Sequence, residues 1–370
     1  MNILIVKMSA VGDVIHTLPA LNAIRKHYPD AHIAWLVEEA ASDLVAGHDA
    51  VDRVLISGRK RWIKGIFGSG NVGDLKEAYR FIRQLRDTRY DLILDFQSLL
   101  KSGVLIGLSK GKRKVGFGKG MEHTEHSYWF LNERVPAVSM EHHALLRGMM
   151  LLEAVGIPSS EIVFDLPVLD RHRDAVRDLL DLHGVTKEKR LAAIHPIAKW
   201  DTKLWDNEKF SVLADRLIEE FDANVVFTGS AADRDTILRI ISAMQGDAAN
   251  LAGETTLLML AALYEEAAFV VSPDTGPMHL AAAVDTPVVA LFGPTAPWRT
   301  GPFGSGHQII RAGLECSPCF KRKCETKACM DRISVEDVIG GIRNLELQQR
   351  AHSLSRLGGT AGLASESQNR

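Results

Sequence analysis

The sequence predicts an α/β protein made of two Rossmann-like, doubly wound parallel-sheet domains that face each other across a cleft. The chain has 370 residues, which is more than a single hydrophobic core usually serves. Short apolar runs alternate with segments of helical periodicity, an order typical of parallel sheets with helical crossovers. The alternation begins afresh in the second half, so the chain uses the same architecture twice.

Strands of the first half are predicted from short apolar runs bounded by polar residues, as expected for strands buried on both faces. A small-residue loop, Met8–Asp13, follows the first run. A helical pattern then continues from Val14 to about His27, interrupted by Pro19, and another covers Leu75–Leu85. The predicted strands are Ile3–Val6, His32–Val37, Asp91–Asp95 and Lys114–Phe117.

The second half repeats this order, and each of its apolar runs ends in a cluster of His, Gly, Ser, Pro or Asp. Helical patterns cover Phe210–Glu220 and Leu257–Tyr264. Ligands of open α/β sheets bind at the carboxyl ends of strands, so these clusters are the candidate functional positions. The predicted strands are Leu191–Ile194, Asn224–Thr228, Phe269–Ser272 and Val288–Phe292.

The domain boundary is predicted in the charged, Pro-bearing segment 164–174. The first domain then covers residues 1–170 and the second residues 171–345. Residues 351–370 are rich in Gly, Ser and Ala without periodicity, so this tail is predicted to be disordered.

Composition excludes several classes of protein. Hydrophobic residues make up 46% and charged residues 24% of the chain, with a formal net charge of -2, so no global field favours nucleic acid. The N-terminus does not resemble a signal peptide, and no apolar run reaches the length of about 20 residues that spans a bilayer. All four cysteines lie between Cys316 and Cys329. These features predict a soluble or peripheral cytoplasmic protein.

The first candidate site is the loop from Ser9 to Asp13, directly after the first strand. Asp13 opens a helix there, and a carboxylate at this position is able to take a proton from an attacking hydroxyl. The alternative is an aspartate that only caps the helix. Both interpretations stay open on these residues alone.

The second candidate site is Ser272-Pro273-Asp274-Thr275-Gly276-Pro277-Met278-His279, which joins a strand to a helix. Backbone N–H groups at such a helix start bind anions, as a departing diphosphate requires. The alternative is a capped turn with a buried histidine. Lys203, in the loop after His195 at the end of a strand, either reaches a phosphate as a point charge or is a solvated surface lysine.

Two further clusters have open interpretations. The basic segment Arg59-Lys60-Arg61-Trp62-Ile63-Lys64 suits an anionic, lipid-linked acceptor at a membrane surface, or is a solvated charged loop. The four cysteines, Cys316, Cys319, Cys324 and Cys329, either hold a structural zinc ion or are loop cysteines, reduced or disulfide-linked. The triplet Asp233-Arg234-Asp235 is interpreted as acidic residues at a helix start.

The sequence resembles the ADP-heptose:lipopolysaccharide heptosyltransferases of glycosyltransferase family 9. The resemblance covers the chain from its first residue to about Ile342. Its most specific parts are GDVIHTLPAL after the first strand and SPDTGPMHL in the second half. DFQSLLKSG, HALLR, KLW and LFGPT are also similar. The RKRWIK segment is most similar to heptosyltransferase I, whereas the cysteine segment is more similar to heptosyltransferase II.

This resemblance implies a GT-B fold, with the acceptor in the first domain and ADP-heptose in the second. It implies an inverting single displacement with Asp13 as general base, Lys203 on the diphosphate and Asp274 on the heptose hydroxyls. Glu254 is implied at the ribose. The other implied donor residues are Thr275, Gly276 and His279, and the implied acceptor residues, which would hold Kdo–lipid A, are Lys60, Arg61 and Lys64.

The resemblance implies no metal or other required cofactor, and a peripheral position at the cytoplasmic face of the inner membrane. Three alternatives stay open. The chain is a heptosyltransferase II, or a GT-B transferase for another nucleotide sugar or core acceptor, or a non-enzymatic zinc-binding module. A Rossmann oxidoreductase is disfavoured because no G-x-G-x-x-G follows a predicted strand.

Overall fold

The computed structural model describes residues 1–69, 71–121 and 125–359. They form two compact units. The first comprises Met1–Leu179 with Thr255–Leu263 and Trp298–Thr300, and the second comprises the remaining residues. Each unit contains one six-stranded sheet in which all pairings are parallel.

The sheet of the first unit has the order β3-β2-β1-β4-β5-β6. Its centre is apolar on both faces, since Ile3, Leu4, Ile5 and Val6 of β1 are fully buried, which is typical of a parallel sheet covered by helices. The strands are β1 Asn2–Val6, β2 His32–Glu38, β3 Arg53–Ser57, β4 Arg89–Asp95, β5 Lys110–Phe117 and β6 Glu133–Val135.

Helices lie between these strands and after the last of them. In chain order they are α1 Val11–Ile15, α2 Leu18–His27, α3 Arg59–Lys64, α4 Val72–Asp87, α5 Leu100–Leu108, α6 Ala144–Ala154 and α7 Asp170–Leu182. Short 3-10 turns lie at Glu39–Leu44 and Ser127–Phe130, and a π-helical turn lies at Gly65–Ser69.

The sheet of the second unit has the order β9-β8-β7-β10-β11-β12. Numbered within the unit, this is the same order as in the first sheet, with the same reversal between the first and fourth strands. The strands are β7 Arg190–Ile194, β8 Ala223–Phe227, β9 Ala248–Asn250, β10 Phe269–Pro273, β11 Val288–Leu291 and β12 Gln308–Ile310.

The remaining helices are α8 Asn207–Phe221, α9 Arg234–Ser242, α10 Leu257–Glu266, α11 Gly276–Ala283, α12 Pro297–Thr300, α13 Ala328–Asp331 and α14 Val335–Gly359. Short 3-10 turns lie at Asp201–Lys203 and Ala231–Asp233. Within the described part of the chain, no helix combines the length and the apolar character needed to cross a bilayer.

The predicted fold class is confirmed, with two doubly wound parallel sheets. In each sheet the strand order reverses between two central strands, β1 and β4 in the first and β7 and β10 in the second. Ligands of such sheets bind beside these switch points, outside the carboxyl ends of the strands. The loops after β1, β7 and β10 lead to Asp13, Lys203 and Asp274, whereas Glu254 follows β9 and the basic segment follows β3.

Two local expectations require correction. The predicted helix from Val14 to His27 is two helices, α1 and α2, which separate at His16 and Thr17. Pro19 causes the separation because it has no N–H and its ring would clash with the carbonyl of Ile15 in a continuous helix. The last helix also continues beyond residue 350, into the segment predicted to be disordered, and ends at Gly359. Residues 360–370 of that segment lie outside the described residues.

Candidate active site

Asp13 lies in the first turn of α1, immediately after the loop that leaves β1. Its Oδ2 accepts a hydrogen bond from the backbone N–H of Ala10 at 3.0 Å. One oxygen of the carboxylate therefore caps the start of the helix. Its Oδ1 lies 3.8 Å from Lys7 Nζ, and the side chain is 45% exposed. The capping and proton-accepting interpretations are therefore compatible, because the cap uses only one of the two oxygens.

The loop that carries Asp13 is attached to the loop after β4, on the other side of the switch point. Gln97 Oε1 accepts the backbone N–H groups of Met8 at 2.8 Å and Ser9 at 3.0 Å. Lys7 Nζ donates to the carbonyl of Phe96 at 2.9 Å. Three hydrogen bonds thus tie the two strand ends together, so the position of Asp13 depends on residues about 85 positions further along the chain.

Asp95, the last residue of β4, holds the loop that follows this strand. It is fully buried, and its Oδ1 accepts the backbone N–H groups of Gln97 and Ser98, each at 3.1 Å. Burial raises the pKa of Asp95 to about 6, although these hydrogen bonds oppose the rise. Its other oxygen has no hydrogen-bond partner among the described residues.

A cavity of about 250 Å³ opens beside Asp13 within the first unit. Lys7, Gln97 and Arg147 also line it, together with apolar side chains such as Phe96 and Met140. A partly apolar cavity with a few polar groups is typical of a binding site for a small molecule or a sugar.

The basic segment forms α3 and is largely neutralised by neighbouring carboxylates. Lys60 Nζ lies 2.9 Å from Glu38, a buried carboxylate that also receives Lys101 Nζ at 3.0 Å. Burial tends to raise the pKa of Glu38, but the hydrogen bonds from Lys60 and Lys101 outweigh it and lower the pKa. Lys101 Nζ also donates to Ser9 Oγ at 2.5 Å, so this cluster contacts the loop that leads to Asp13.

Arg61 forms ion pairs with three carboxylates. Its guanidinium lies 3.1 Å from Glu39, 3.0 Å from Asp74 and 2.7 Å from Glu77. Lys64, by contrast, is exposed and forms no ion pair with a described residue. Of the three implied acceptor residues, only Lys64 therefore offers a charge that the described part of the protein leaves uncompensated.

In the second unit, Lys203 and Asp274 form a largely buried ion pair at the other switch point. Lys203 Nζ lies 2.7 Å from Asp274 Oδ2 and 3.2 Å from its backbone carbonyl. The Lys203 ammonium also lies over the ring of Trp200, 4.6 Å from its centroid. Lys203 is thus positioned between a carboxylate and an aromatic face rather than being a solvated surface lysine.

The segment after Asp274 begins α11, for which Thr275 is the N-cap residue and Gly276 the first helical residue. His279 is buried, and its Nε2 lies 4.0 Å from Asp274 Oδ1. Thr275 and Gly276 are partly exposed. The structure therefore brings together Lys203, Asp274 and His279 beside the start of a helix, where backbone N–H groups favour an anion.

Glu254 is held by a different pair of groups. It lies 2.8 Å from His183 Nε2 and 3.0 Å from Arg234 Nη1, and the hydrogen bond from His183 is the largest cause that lowers its pKa. The preceding Gly253 has φ +79, and a Cβ there would lie 2.7 Å from Ala231 Cα. Only glycine permits this close approach, which fixes the backbone position of Glu254.

Of three other features singled out in the sequence, His195 and Asp233 have hydrogen-bond partners within the protein, and the cysteines form no disulfide bond. Burial lowers the pKa of His195 to about 4, so the ring is neutral at neutral pH, and its Nδ1 lies 3.1 Å from Thr228 Oγ1. Asp233 accepts the backbone N–H of Ser230 at 2.8 Å, as expected for an acid at a helix start. The described cysteines are free thiols.

The cysteine segment has no geometry that favours a metal ion. Among residues 1–69, 71–121 and 125–359, no group of three or more His, Cys, Asp or Glu side chains is arranged to hold one. Zinc at Cys316, Cys319, Cys324 and Cys329 therefore stays a prediction without geometric support.

Gln97, Lys101 and Arg147 lie at this site but were not predicted from the sequence. A signal was available, since Asp95–Gly103 and His143–Arg147 contain two of the motifs that carry the resemblance. Their roles depend on contacts between segments that are distant in sequence, such as Gln97 with Met8 and Lys101 with Glu38. No local pattern encodes such contacts.

Two Rossmann-like units with the same strand order, each with its polar cluster at the switch point, define the class of GT-B glycosyltransferases. The sequence profile described as "Glycosyltransferase family 9 (heptosyltransferase)" matches residues 78–330. The chain belongs to this family.

Similar proteins agree with this assignment. The chain is 32% identical over 329 residues to lipopolysaccharide heptosyltransferase 1 of Pseudomonas aeruginosa, covering 88% of this chain and 87% of the relative. It is 26% identical to the lipopolysaccharide core heptosyltransferase OpsX of Haemophilus influenzae, covering 93% and 96%. The structure of Escherichia coli heptosyltransferase WaaC with ADP-2-deoxy-2-fluoro heptose is similar at a TM-score of 0.73 and 25% identity, covering 93% and 99%.

Proposed function

We propose that this glycosyltransferase moves heptose from ADP-heptose to the Kdo–lipid A inner core of lipopolysaccharide, with inversion at the anomeric carbon. The proposal rests on one observation: each of the two equivalent switch points carries a cluster of polar side chains. One cluster contains a partly exposed carboxylate, and the other contains a lysine beside a helix start. A carboxylate suits a nucleophile that must lose a proton, and the second cluster suits a diphosphate.

The donor is assigned to the second unit. Lys203 supplies a positive charge for the diphosphate, and the N–H groups at the start of α11, with Thr275 and Gly276, supply hydrogen bonds. Asp274, fixed by Lys203 at 2.7 Å, holds hydroxyls of the heptose, with His279 alongside. Glu254 is assigned to the ribose, where its carboxylate is oriented by His183 and Arg234. The solved E. coli relative with a fluoro analogue of ADP-heptose supports this choice of donor.

The reaction needs one proton acceptor and one stabilised leaving group. The acceptor hydroxyl oxygen forms a bond to the anomeric carbon of heptose while the bond from that carbon to the diphosphate oxygen breaks. The electron pair of the broken bond leaves with ADP, where Lys203 and the helix start stabilise the charge. The hydroxyl proton passes to Asp13. No step in this scheme requires a metal ion.

The acceptor is assigned to the first unit, beside Asp13. A lipid-linked acceptor is presented at a membrane surface, so the enzyme is expected to act as a peripheral protein at the cytoplasmic face of the inner membrane. The exposed end of α3 at Lys64 contributes to this contact, since a basic residue near an anionic surface adds about 1 kcal/mol. Lys60 and Arg61 assist only if the acceptor competes with Glu38, Glu39, Asp74 and Glu77.

A transfer assay with a matched panel tests the proposal. ADP-heptose is offered with Kdo–lipid A and, separately, with the acceptor that already carries one heptose, and the products are identified by mass. We expect transfer to Kdo–lipid A, and no transfer when UDP-sugars replace ADP-heptose. Transfer only to the heptosylated acceptor would identify a heptosyltransferase II. No transfer to either acceptor would contradict the proposal.

A further inference from the structure

Arg147 is a charged group in the Asp13 cavity for which the proposed reaction has no assigned role. It lies in the first turn of α6, is partly buried, and lines the cavity of about 250 Å³ together with Asp13 and Lys7. An arginine at such a position keeps its charge under all ordinary conditions. The cavity therefore contains a permanent cation on the wall beside the proposed base.

No described residue forms an ion pair with Arg147. Its guanidinium donates a hydrogen bond to the sulfur of Met140, and a thioether is a weak acceptor. Burial and the nearby Arg299 lower the pKa of Arg147, and the charge of Asp13 opposes this. Most of the five N–H donors of the guanidinium therefore lack a strong acceptor within the described part of the protein.

A partly buried cation whose only hydrogen-bond acceptor among the described residues is a thioether is unfavourable in the free protein, because removing charge from water costs free energy that a strong partner restores. The other cations near this site are already compensated. Lys7 donates to a backbone carbonyl and lies 3.8 Å from Asp13, and Lys101 is paired with Glu38. Among these charges, Arg147 is the one whose environment favours an added anion.

The anion must fit a cavity of about 250 Å³ and must belong to a molecule with a hydroxyl that Asp13 can reach. A carboxylate is a small anion, and it matches the guanidinium of Arg147 through two parallel hydrogen bonds. A sugar acid carries a carboxylate and hydroxyls on one ring. A phosphate held by the exposed end of α3 would lie on a different element and would leave Arg147 without a partner.

We propose that Arg147 binds the carboxylate of a sugar-acid acceptor and thereby selects an acidic sugar over a neutral one. This inference rests on the proposed function and makes it more specific, because it assigns acceptor recognition mainly to the cavity and not to the RKRWIK helix. Arg147 is then a specificity-determining residue, and its contact orients the acceptor ring so that the reacting hydroxyl faces Asp13.

The test compares Kdo–lipid A with the same acceptor carrying a methyl ester on the Kdo carboxyl that Arg147 would bind. For the wild type we expect kcat/KM to fall about 30-fold to 100-fold on esterification, as for the loss of a charge-assisted, two-pronged contact. In Arg147→Gln we expect the acid and the ester to react at nearly equal rates. Arg147→Lys keeps the positive charge but loses the pair of parallel hydrogen bonds that a guanidinium makes to a carboxylate, so it should retain a small preference for the acid.

Controls separate recognition from folding. ADP-heptose binding, measured by calorimetry, should be unchanged in Arg147→Gln and Arg147→Lys. The matched control is Arg89→Gln, since Arg89 is exposed at the amino end of β4, and it should discriminate like the wild type. If Arg147→Gln fails to fold, the acid and the ester are compared in Arg147→Lys.

The outcomes distinguish this inference from the proposed function. If the wild type transfers heptose equally well to acid and ester, or if Arg147→Gln retains the wild-type discrimination, the inference is wrong while the proposed function stands. If the wild type transfers to neither acceptor, both are wrong.

Discussion

At the residue scale, Asp95 combines complete burial with a supporting role for the loop beside Asp13. Burial raises its pKa from 3.8 to about 6, so the folded protein holds this proton more tightly than the unfolded chain. The stabilisation from the bound proton is present below about pH 4 and is lost as the pH rises through about 6. At neutral pH the protein therefore keeps a buried carboxylate whose charge is stabilised mainly by hydrogen bonds from the loop that follows it.

This assignment predicts a difference between the wild type and Asp95→Asn. Between about pH 4.5 and about pH 8, the free energy of unfolding of the wild type should fall by about 2 kcal/mol relative to the variant, as the linkage relation gives for this shift. Urea unfolding at both pH values measures it, and other titrating groups cancel because both proteins contain them. A difference that does not change with pH would show that the Asp95 carboxyl titrates normally.

Arg147 and Asp13 show why single residues are difficult to assign from sequence. Asp13 stands out because it follows a strand and a glycine. Arg147 lies inside an ordinary helical pattern, and its significance arises only from the absence of a described carboxylate paired with it and from its place in the cavity. The sequence carries no local mark of either property.

At the element scale, the two loops that flank the switch point of the first sheet act together. Gln97 provides both hydrogen bonds that hold Met8 and Ser9, and each hydrogen bond of this kind contributes about 0.5–1.5 kcal/mol. The loop after β4 thereby fixes the start of α1. We infer that Gln97 is a positioning residue for Asp13.

In Gln97→Ala we expect kcat to fall about 10-fold to 100-fold, because small displacements of a reacting group have effects of that size. The KM for ADP-heptose should not change. Gln97→Glu keeps a side-chain oxygen that can accept the N–H groups of Met8 and Ser9, so we expect it to retain more of the wild-type kcat than Gln97→Ala.

Steady-state kinetics measures both effects, with Gln84→Ala as the control, since Gln84 is exposed on α4. An unchanged kcat in Gln97→Ala would show that the loop after β4 does not position the base.

The central elements of both sheets could be predicted from sequence, and the edges could not. The predicted strands correspond to β1, β2, β4 and β5 in one sheet and β7, β8, β10 and β11 in the other. The missed strands, β3, β6, β9 and β12, are the four edge strands. Inner strands such as β7 and β10 are buried along nearly their whole length and form continuous apolar runs. Three of the edge strands, β6, β9 and β12, have only 3 residues each, and β3 is partly exposed.

At the scale of the whole molecule, the chain repeats one architecture for two different purposes. Both sheets reverse their strand order at equivalent positions, and both reversals carry polar residues. The first provides a carboxylate and an arginine that forms no ion pair with a described carboxylate. The second provides a lysine, a carboxylate and a helix start. The proposed function uses this division, with the acceptor on the first unit and the nucleotide sugar on the second.

The sequence supports that division more firmly than it supports the acceptor. Motifs at the two switch points lie close to a strand end and are visible locally, whereas the acceptor surface depends on which basic residues are already paired. The RKRWIK segment has the composition of an anion site, but Lys60 and Arg61 contact carboxylates of the same unit. Composition gives total charge, and only the fold gives the charge that remains uncompensated.

The central claim is that Asp13 accepts the proton of the acceptor hydroxyl, and Asp13→Asn tests it most directly. Asparagine keeps the size of the side chain and an oxygen for the N–H of Ala10, but it is far too weak a base. We expect the transfer rate to fall by about 10²-fold to 10⁴-fold, the usual contribution of a general base, while ADP-heptose binds with unchanged affinity in calorimetry. Asp30→Asn, at an exposed turn before β2, should transfer at the wild-type rate. An Asp13→Asn variant that also transfers at the wild-type rate would contradict the account.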